Sequence, residues 1–229
     1  MFWYDPTLLI LIPGFLLGLA AQVYMSNTYG KYARKRSLSG LTGYTAARRI
    51  LDSAGLYHVQ IEMIGGELTD HFDPRANVLR LSKGVYESGS VAAIGVAAHE
   101  CGHAVQYAES YAPMKLRGAL VKTTNISSTL SFAIILLGML FSIPEIAYIG
   151  IGFFLVVVFF QLVTLPVEFN ASNRAVAILG GGILPQEELD GVKKVLTAAA
   201  LTYVAAFINA VLQLLRLLAL VGGGRGRRR

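Results

Sequence analysis

Four apolar runs dominate the chain: Leu8–Met25, Ile126–Ile143, Ile146–Leu165 and a stretch from about Ala199 to Val221. A membrane-crossing helix needs roughly 20 mostly apolar residues. All four runs are candidates, and Ile146–Leu165 is the strongest. Pro144 and Glu145 separate the second and third runs and predict a tight hairpin. The fourth run carries a polar stripe, Thr202, Asn209, Gln213 and Arg216, which must face protein, water or the interface if it lies at membrane depth. It is read either as a full span or as a re-entrant or interfacial amphipathic helix. The pattern therefore predicts a mainly α membrane protein with three to four transmembrane or membrane-embedded helices. The expected organisation is an anchor over 1–25, an extramembrane region over 26–124, a transmembrane hairpin over 125–166, a helical region over 167–198, and a membrane helix with a basic tail over 199–229.

The polar region between the first two runs has shorter periodicities. "GYTAARRILDSAGL" predicts a helix closed by Gly55 in the left-handed conformation. His58–Ile64 alternates like a strand, and "GGEL" turns the chain after it. "DHFDPRANVLRLS", Asp70–Ser82, reads as a hairpin with "DPRAN" at its turn. "SGS" then precedes a helix from about Val91 to Tyr107.

Composition supports the membrane reading. Of 229 residues, 54 % are hydrophobic and only 15 % charged, against about 25 % charged in soluble domains. The net charge of +6 does not point to nucleic acid. Arg225, Arg227, Arg228 and Arg229 lie in the tail, and Lys31, Arg34, Lys35 and Arg36 follow the first apolar run, which suits membrane-flanking charge. No nucleic-acid module is present, so no nucleic-acid partner is expected. "MFWYD" lacks the basic residues of a signal peptide. The first run is thus read as an uncleaved anchor, with the basic side that follows it in the cytoplasm. Four full spans would put the arginine-rich tail outside, against that trend. The single cysteine, Cys101, excludes a disulfide framework.

The predicted helix over 91–107 contains "HECGH". His99 and His103 are four residues apart, which brings them to within about 40° of each other on one helix face. One zinc ion can accept both imidazoles, and Glu100 at the edge of that face can act as general base on a water. The same face carries Ala92, Gly95 and Gln106, while Ile94, Ala98, Cys101 and Val105 lie opposite, so Cys101 is read as core. A catalytic zinc needs a third protein ligand. His58 and His71 lie upstream in the strand region, but Glu168, in "LPVEFNASNRA", is the better candidate. Pro166 suggests that a new helix starts there, with Ala171, Ser172 and Ala175 as a small-residue stripe that permits close approach to the histidine helix. "DHFD" is read as turn and strand chemistry, its hairpin offering an edge strand to an extended peptide. Tyr203 is a candidate oxyanion stabiliser or an interfacial tyrosine.

"LTGYTAARRIL", "DHFDPRANVLRLS", "IGVAAHECGHAVQ", "LPVEFNASNRA" and "VLTAAALTYVAA" together make the sequence resemble the YugP-type family of bacterial membrane zinc metallopeptidases, from about Gly40 to Ala206. The resemblance implies a gluzincin-like metal helix beside a small β-sheet. It implies one Zn2+ per chain held by His99, His103 and Glu168, with Glu100 as the catalytic base. More distantly, the chain is similar to HtpX-like and CAAX prenyl membrane proteases. In those an aspartate follows the glutamate ligand by four residues, where this chain has Ser172; Ser172, Asn170 or Asn173 is expected to take its place. The expected function is a zinc-dependent, multi-pass membrane endopeptidase with its active site on the cytoplasmic side. Its partners would be protein or peptide substrates, membrane proteins among them, and the lipid bilayer. A role in membrane-protein quality control follows by analogy. The alternative is a non-catalytic zinc-binding membrane scaffold. A channel or transporter fits poorly, because Arg216 is the only charge well inside a putative span and paired broken helices are not evident.

Overall fold

The structure is a computed structural model that describes residues 5–223. The basic tail therefore lies outside the described residues. A 3-10 turn, Pro6–Leu11, runs into α1, Ile12–Ala33. There follow α2 (Gly43–Ser53), β1 (Gln60–Ile64), β2 (His71–Asp73), β3 (Val78–Ser82), α3 (Lys83–Tyr86), α4 (Val91–Ala108), α5 (Ala112–Leu140), α6 (Pro144–Gly180) and α7 (Gln186–Gly223). The protein is mainly α-helical with a small sheet. The stretch from Pro6 to Ala33, and α5, α6 and α7, are each long and apolar enough to cross a membrane. The fourth run is part of one continuous helix of 38 residues, whereas a re-entrant segment would interrupt it.

The chain divides into two compact units. One comprises Gln22–Lys115 and Pro166–Leu201; the other takes the residues up to Ala21, Leu116–Leu165 and those from Thr202 onward. The second unit is built from apolar helices that meet at small residues. A Cβ on Gly138 would fall 2.4 Å from the Ala147 nitrogen, and one on Gly150 2.8 Å from the Ile135 nitrogen, so α5 and α6 pack backbone to backbone. The polar stripe of the fourth run faces protein here. Asn209 packs on Gly14 of α1, and the Arg216 guanidinium pairs with Asp5 at 3.1 Å. Gln213 and Arg216 line a cavity of about 380 Å3 together with Ser128, Ser131 and Phe154.

The first unit holds the sheet and a larger core. Thr42 caps α2 by a reciprocal exchange with Thr45, and Gly55 follows the helix with φ +72°, as expected of its left-handed cap. The buried face of α2, Ala46, Ala47, Ile50 and Leu51, belongs to the same core as Ile94, Ala98 and Cys101 of α4. In the sheet, β2 pairs with β3 antiparallel, Phe72 opposite Leu79, across the expected turn. However, β1 pairs in parallel with β3, and the strand order is β1-β3-β2. The central strand β3 is buried at Val78, Leu79, Leu81 and Ser82 because it has a neighbour on each side. The outer strand β2 is left as an edge.

One local expectation is corrected. Pro166 does not separate two helices: α6 runs through it from Pro144 to Gly180. Proline removes one backbone donor and usually breaks a soluble helix, but helices in apolar surroundings tolerate it where other groups satisfy the backbone. Here Val167 and Glu168, just beyond the proline, are packed in the interior. Glu168 is therefore a mid-helix residue and gains no helix N-terminus.

Buried Glu188, in the first turn of α7, clamps the chain after α1. The Ser37 hydroxyl donates to its Oε2, and the Leu38 N–H donates to Oε1 at 2.8 Å. Replacing Glu188 by Ala removes both bonds, which costs about 1–3 kcal/mol for a pair of hydrogen bonds to a charged group. The expected outcome is a drop of several degrees in the melting temperature of detergent-purified protein, measured by intrinsic fluorescence; an unchanged midpoint would refute the clamp.

Candidate metal centre

α4 begins at Ser90, whose hydroxyl accepts the Ala93 N–H at 3.2 Å and so fixes the helix register. That register places His99 and His103 on one face, with ring centroids 4.8 Å apart and the rings nearly perpendicular. Opposite them, α6 presents Glu168. Glu168 Oε2 lies 3.2 Å from His99 Nε2 and 3.6 Å from His103 Nε2. One ligand atom from each residue lies within 4.8 Å of the others, the only such group of three or more His, Cys, Asp or Glu among the described residues. Two donors bound tetrahedrally to one zinc ion at about 2.0–2.1 Å stand about 3.3 Å apart. The two separations to Glu168 Oε2, 3.2 and 3.6 Å, are close to that edge length, and two imidazoles with one carboxylate are a suitable donor set. The donor set of the three residues therefore fits a zinc ion.

The two helices reach this distance because their backbones almost touch. A Cβ on Gly102, between the two histidines, would lie 2.6 Å from the Ala171 carbonyl oxygen. Ala171 and Ala175 are fully buried, so the small-residue stripe does permit the approach expected of it. Gly102 was not foreseen as its counterpart; its place between the histidines, three residues after His99 and next to His103, was the available signal.

Both histidines are also held from behind. Ser172 Oγ lies 3.2 Å from His99 Nδ1, so of the three candidates for the missing aspartate, Ser172 reaches that histidine. Asn170 belongs instead to a second set of bonds. Gln106 Oε1 lies 3.0 Å from His103 Nδ1, and Gln106 Nε2 donates to the Val167 carbonyl and to Asn170 Oδ1, each at 2.9 Å. Glu100 is partly buried beside the cluster. Its Oε2 accepts the Phe72 N–H of edge strand β2 at 3.2 Å. Burial holds its carboxyl above the usual carboxylate range, partly offset by His103 and His99. Neither the bond to Phe72 nor the bond from Gln106 was foreseen.

Other candidates lie elsewhere. His58 and His71 are exposed and outside the cluster. Asp70 accepts from the Ser82 N–H at 2.7 Å, and Asp73 pairs with Arg80 at 2.8 Å, consistent with turn and strand chemistry for "DHFD". Tyr203 lies on α7 in the other unit. Cys101 is buried, its thiol directed at the Ala47 carbonyl at 3.6 Å, and burial pushes its pKa up.

Comparison with known proteins agrees with this geometry. Residues 7–222 match the family described as "Putative neutral zinc metallopeptidase". The chain is 46 % identical over 212 residues to the protein named "Putative membrane protease YugP" of Bacillus subtilis (strain 168), covering 91 % of this chain and 94 % of the relative. No solved structure matches.

Two outcomes are expected from the packing. Gly102→Val forces α4 away from α6, so zinc content measured by atomic emission falls well below the wild-type level; full zinc loading would refute the close-approach argument. Cys101 resists thiol alkylation at pH 8 in the folded protein and reacts on unfolding, as mass spectrometry would reveal; rapid modification of the native protein would contradict its core placement.

Proposed function

The chain belongs to this family of neutral zinc metallopeptidases, and from that membership and the His99–His103–Glu168 cluster we propose that it is a zinc-dependent membrane endopeptidase. The observation that carries the reading is the meeting of three donors on one spot, with the Glu100 carboxylate adjacent. His99, His103 and Glu168 hold one zinc ion in this reading. Bound there, the ion would supply a Lewis acid that polarises a peptide carbonyl and brings the pKa of water toward ~7. Glu100 takes a proton from the attacking water and delivers it to the leaving amine nitrogen, as a general base and then a general acid. The Phe72 N–H steadies the carboxylate.

The substrate is an extended polypeptide. β2 is the edge of the sheet, and its central residue already hydrogen-bonds to Glu100. A peptide pairing along that edge would present its carbonyls beside the base. The four apolar helices support substrates at or in the membrane, and protein quality control is the role we assign by analogy. Lys31, Arg34, Lys35 and Arg36, which follow the first apolar run, support a cytoplasmic active site.

The test compares purified wild type with Glu100→Gln, measuring zinc content together with cleavage of casein and of a detergent-solubilised membrane protein. Both proteins are expected to carry zinc, with cleavage lower by about 10²–10⁴-fold in the variant. Equal cleavage by both would remove Glu100 from the mechanism. Zinc in both with cleavage in neither would favour a non-catalytic zinc-binding scaffold.

A further inference from the structure

We propose that Gln106 is the positioning residue of the metal centre: it holds the His103 ring with its proton on Nδ1 and its Nε2 lone pair directed at the cluster. The inference rests on the zinc-binding reading above. Its starting point is a group that can act in only one sense. Arg174 Nε is always a donor, and it lies 2.7 Å from the Asn170 side-chain oxygen. That contact makes the Asn170 atom an acceptor and fixes its amide orientation. The next contact is from Gln106, whose side-chain nitrogen reaches both this oxygen and the Val167 backbone carbonyl at 2.9 Å each. A backbone carbonyl is always an acceptor. Two acceptors therefore demand the –NH2 end of Gln106, and both of its hydrogens are used.

Only the carbonyl oxygen of Gln106 remains to face His103 Nδ1, at 3.0 Å. It can accept and cannot donate. His103 Nδ1 must then carry the hydrogen, and Nε2, which faces Glu168 at 3.6 Å, is the nitrogen left to bind metal. Gln106 has no exposed surface and His103 very little, so water does not compete for these bonds. The relay continues outward: Arg174 also pairs with Glu109 at 2.7 Å, and Glu109 is more than half exposed.

His99 is held differently. Its Nδ1 meets a serine hydroxyl, which donates or accepts equally well. The orientation of the centre is therefore imposed through His103. Gln106 lies three residues beyond His103 on the same helix face, and so moves with it.

The experiment uses the full-length protein in detergent. Zinc affinity is measured by competition with a chelating dye, and 15N-histidine NMR of the metal-free protein reports which ring nitrogen carries hydrogen before zinc binds. Gln106→Met keeps the length of the side chain but not its bonds, and is expected to weaken zinc binding about 10–100-fold. In wild type, the His103 N–H signal should belong to Nδ1. Wild-type affinity in Gln106→Met, or a hydrogen on Nε2 of His103, would overturn the inference while leaving the metallopeptidase reading intact. If Gln106→Met fails to fold, the NMR assignment in wild type decides alone. Wild type without zinc affinity would defeat the metallopeptidase reading and the inference with it.

Discussion

α4 and α6 meet where the hydrogen-only side chain of Gly102 faces the carbonyl of Ala171, and the metal centre depends on that contact. The two histidines are one helical turn apart on a single element, so their pairing is local. Glu168 is more than sixty residues away in sequence, and only helix packing can bring its carboxylate to 3.2 Å from His99. Ala171 and Ala175 are buried on the same side of α6. Larger side chains there would raise the interaxial distance, which is set by the residues at the contact.

The same approach makes the polar arrangement behind the histidines possible. Gln106 bridges from α4 to the Val167 carbonyl and the Asn170 side chain of α6. A buried glutamine without partners would be costly, because its amide loses its bonds to water. Here both hydrogens of the amide and its oxygen are engaged. The two helices are thus tied by hydrogen bonds that also hold the His103 ring. Ser172 holds His99 without bringing a further negative charge to the cluster.

α6 is a single helix that carries both the third apolar run and Glu168. The apolar unit is tied at small residues such as Gly138 and Gly150. Within it the Arg216 guanidinium is partnered by Asp5. That follows from the solvent: in a hydrocarbon layer a charge or amide without a partner is expensive, so such groups turn toward protein.

The amphipathic α2, the cap at Gly55, the β2–β3 hairpin and the extent of α4 follow from spacing, capping residues and turn residues within a dozen positions of one another. The four apolar runs were legible for the same reason, since length and composition decide whether a helix can lie in lipid. His99, Glu100 and His103 share one turn, and their relation needs no tertiary contact. Other features were decided by the fold. The parallel pairing of β1 with β3 joins strands separated by a third. The continuation of α6 through Pro166 goes against the local preference of proline, because a packed environment can satisfy a backbone that the sequence alone would break. The choice of Ser172 and Gln106 as partners of the two histidines, and the bond from Phe72 to Glu100, depend on tenths of an ångström between separate elements. Periodicity reports which face a residue lies on; only packing decides which atom stands opposite it.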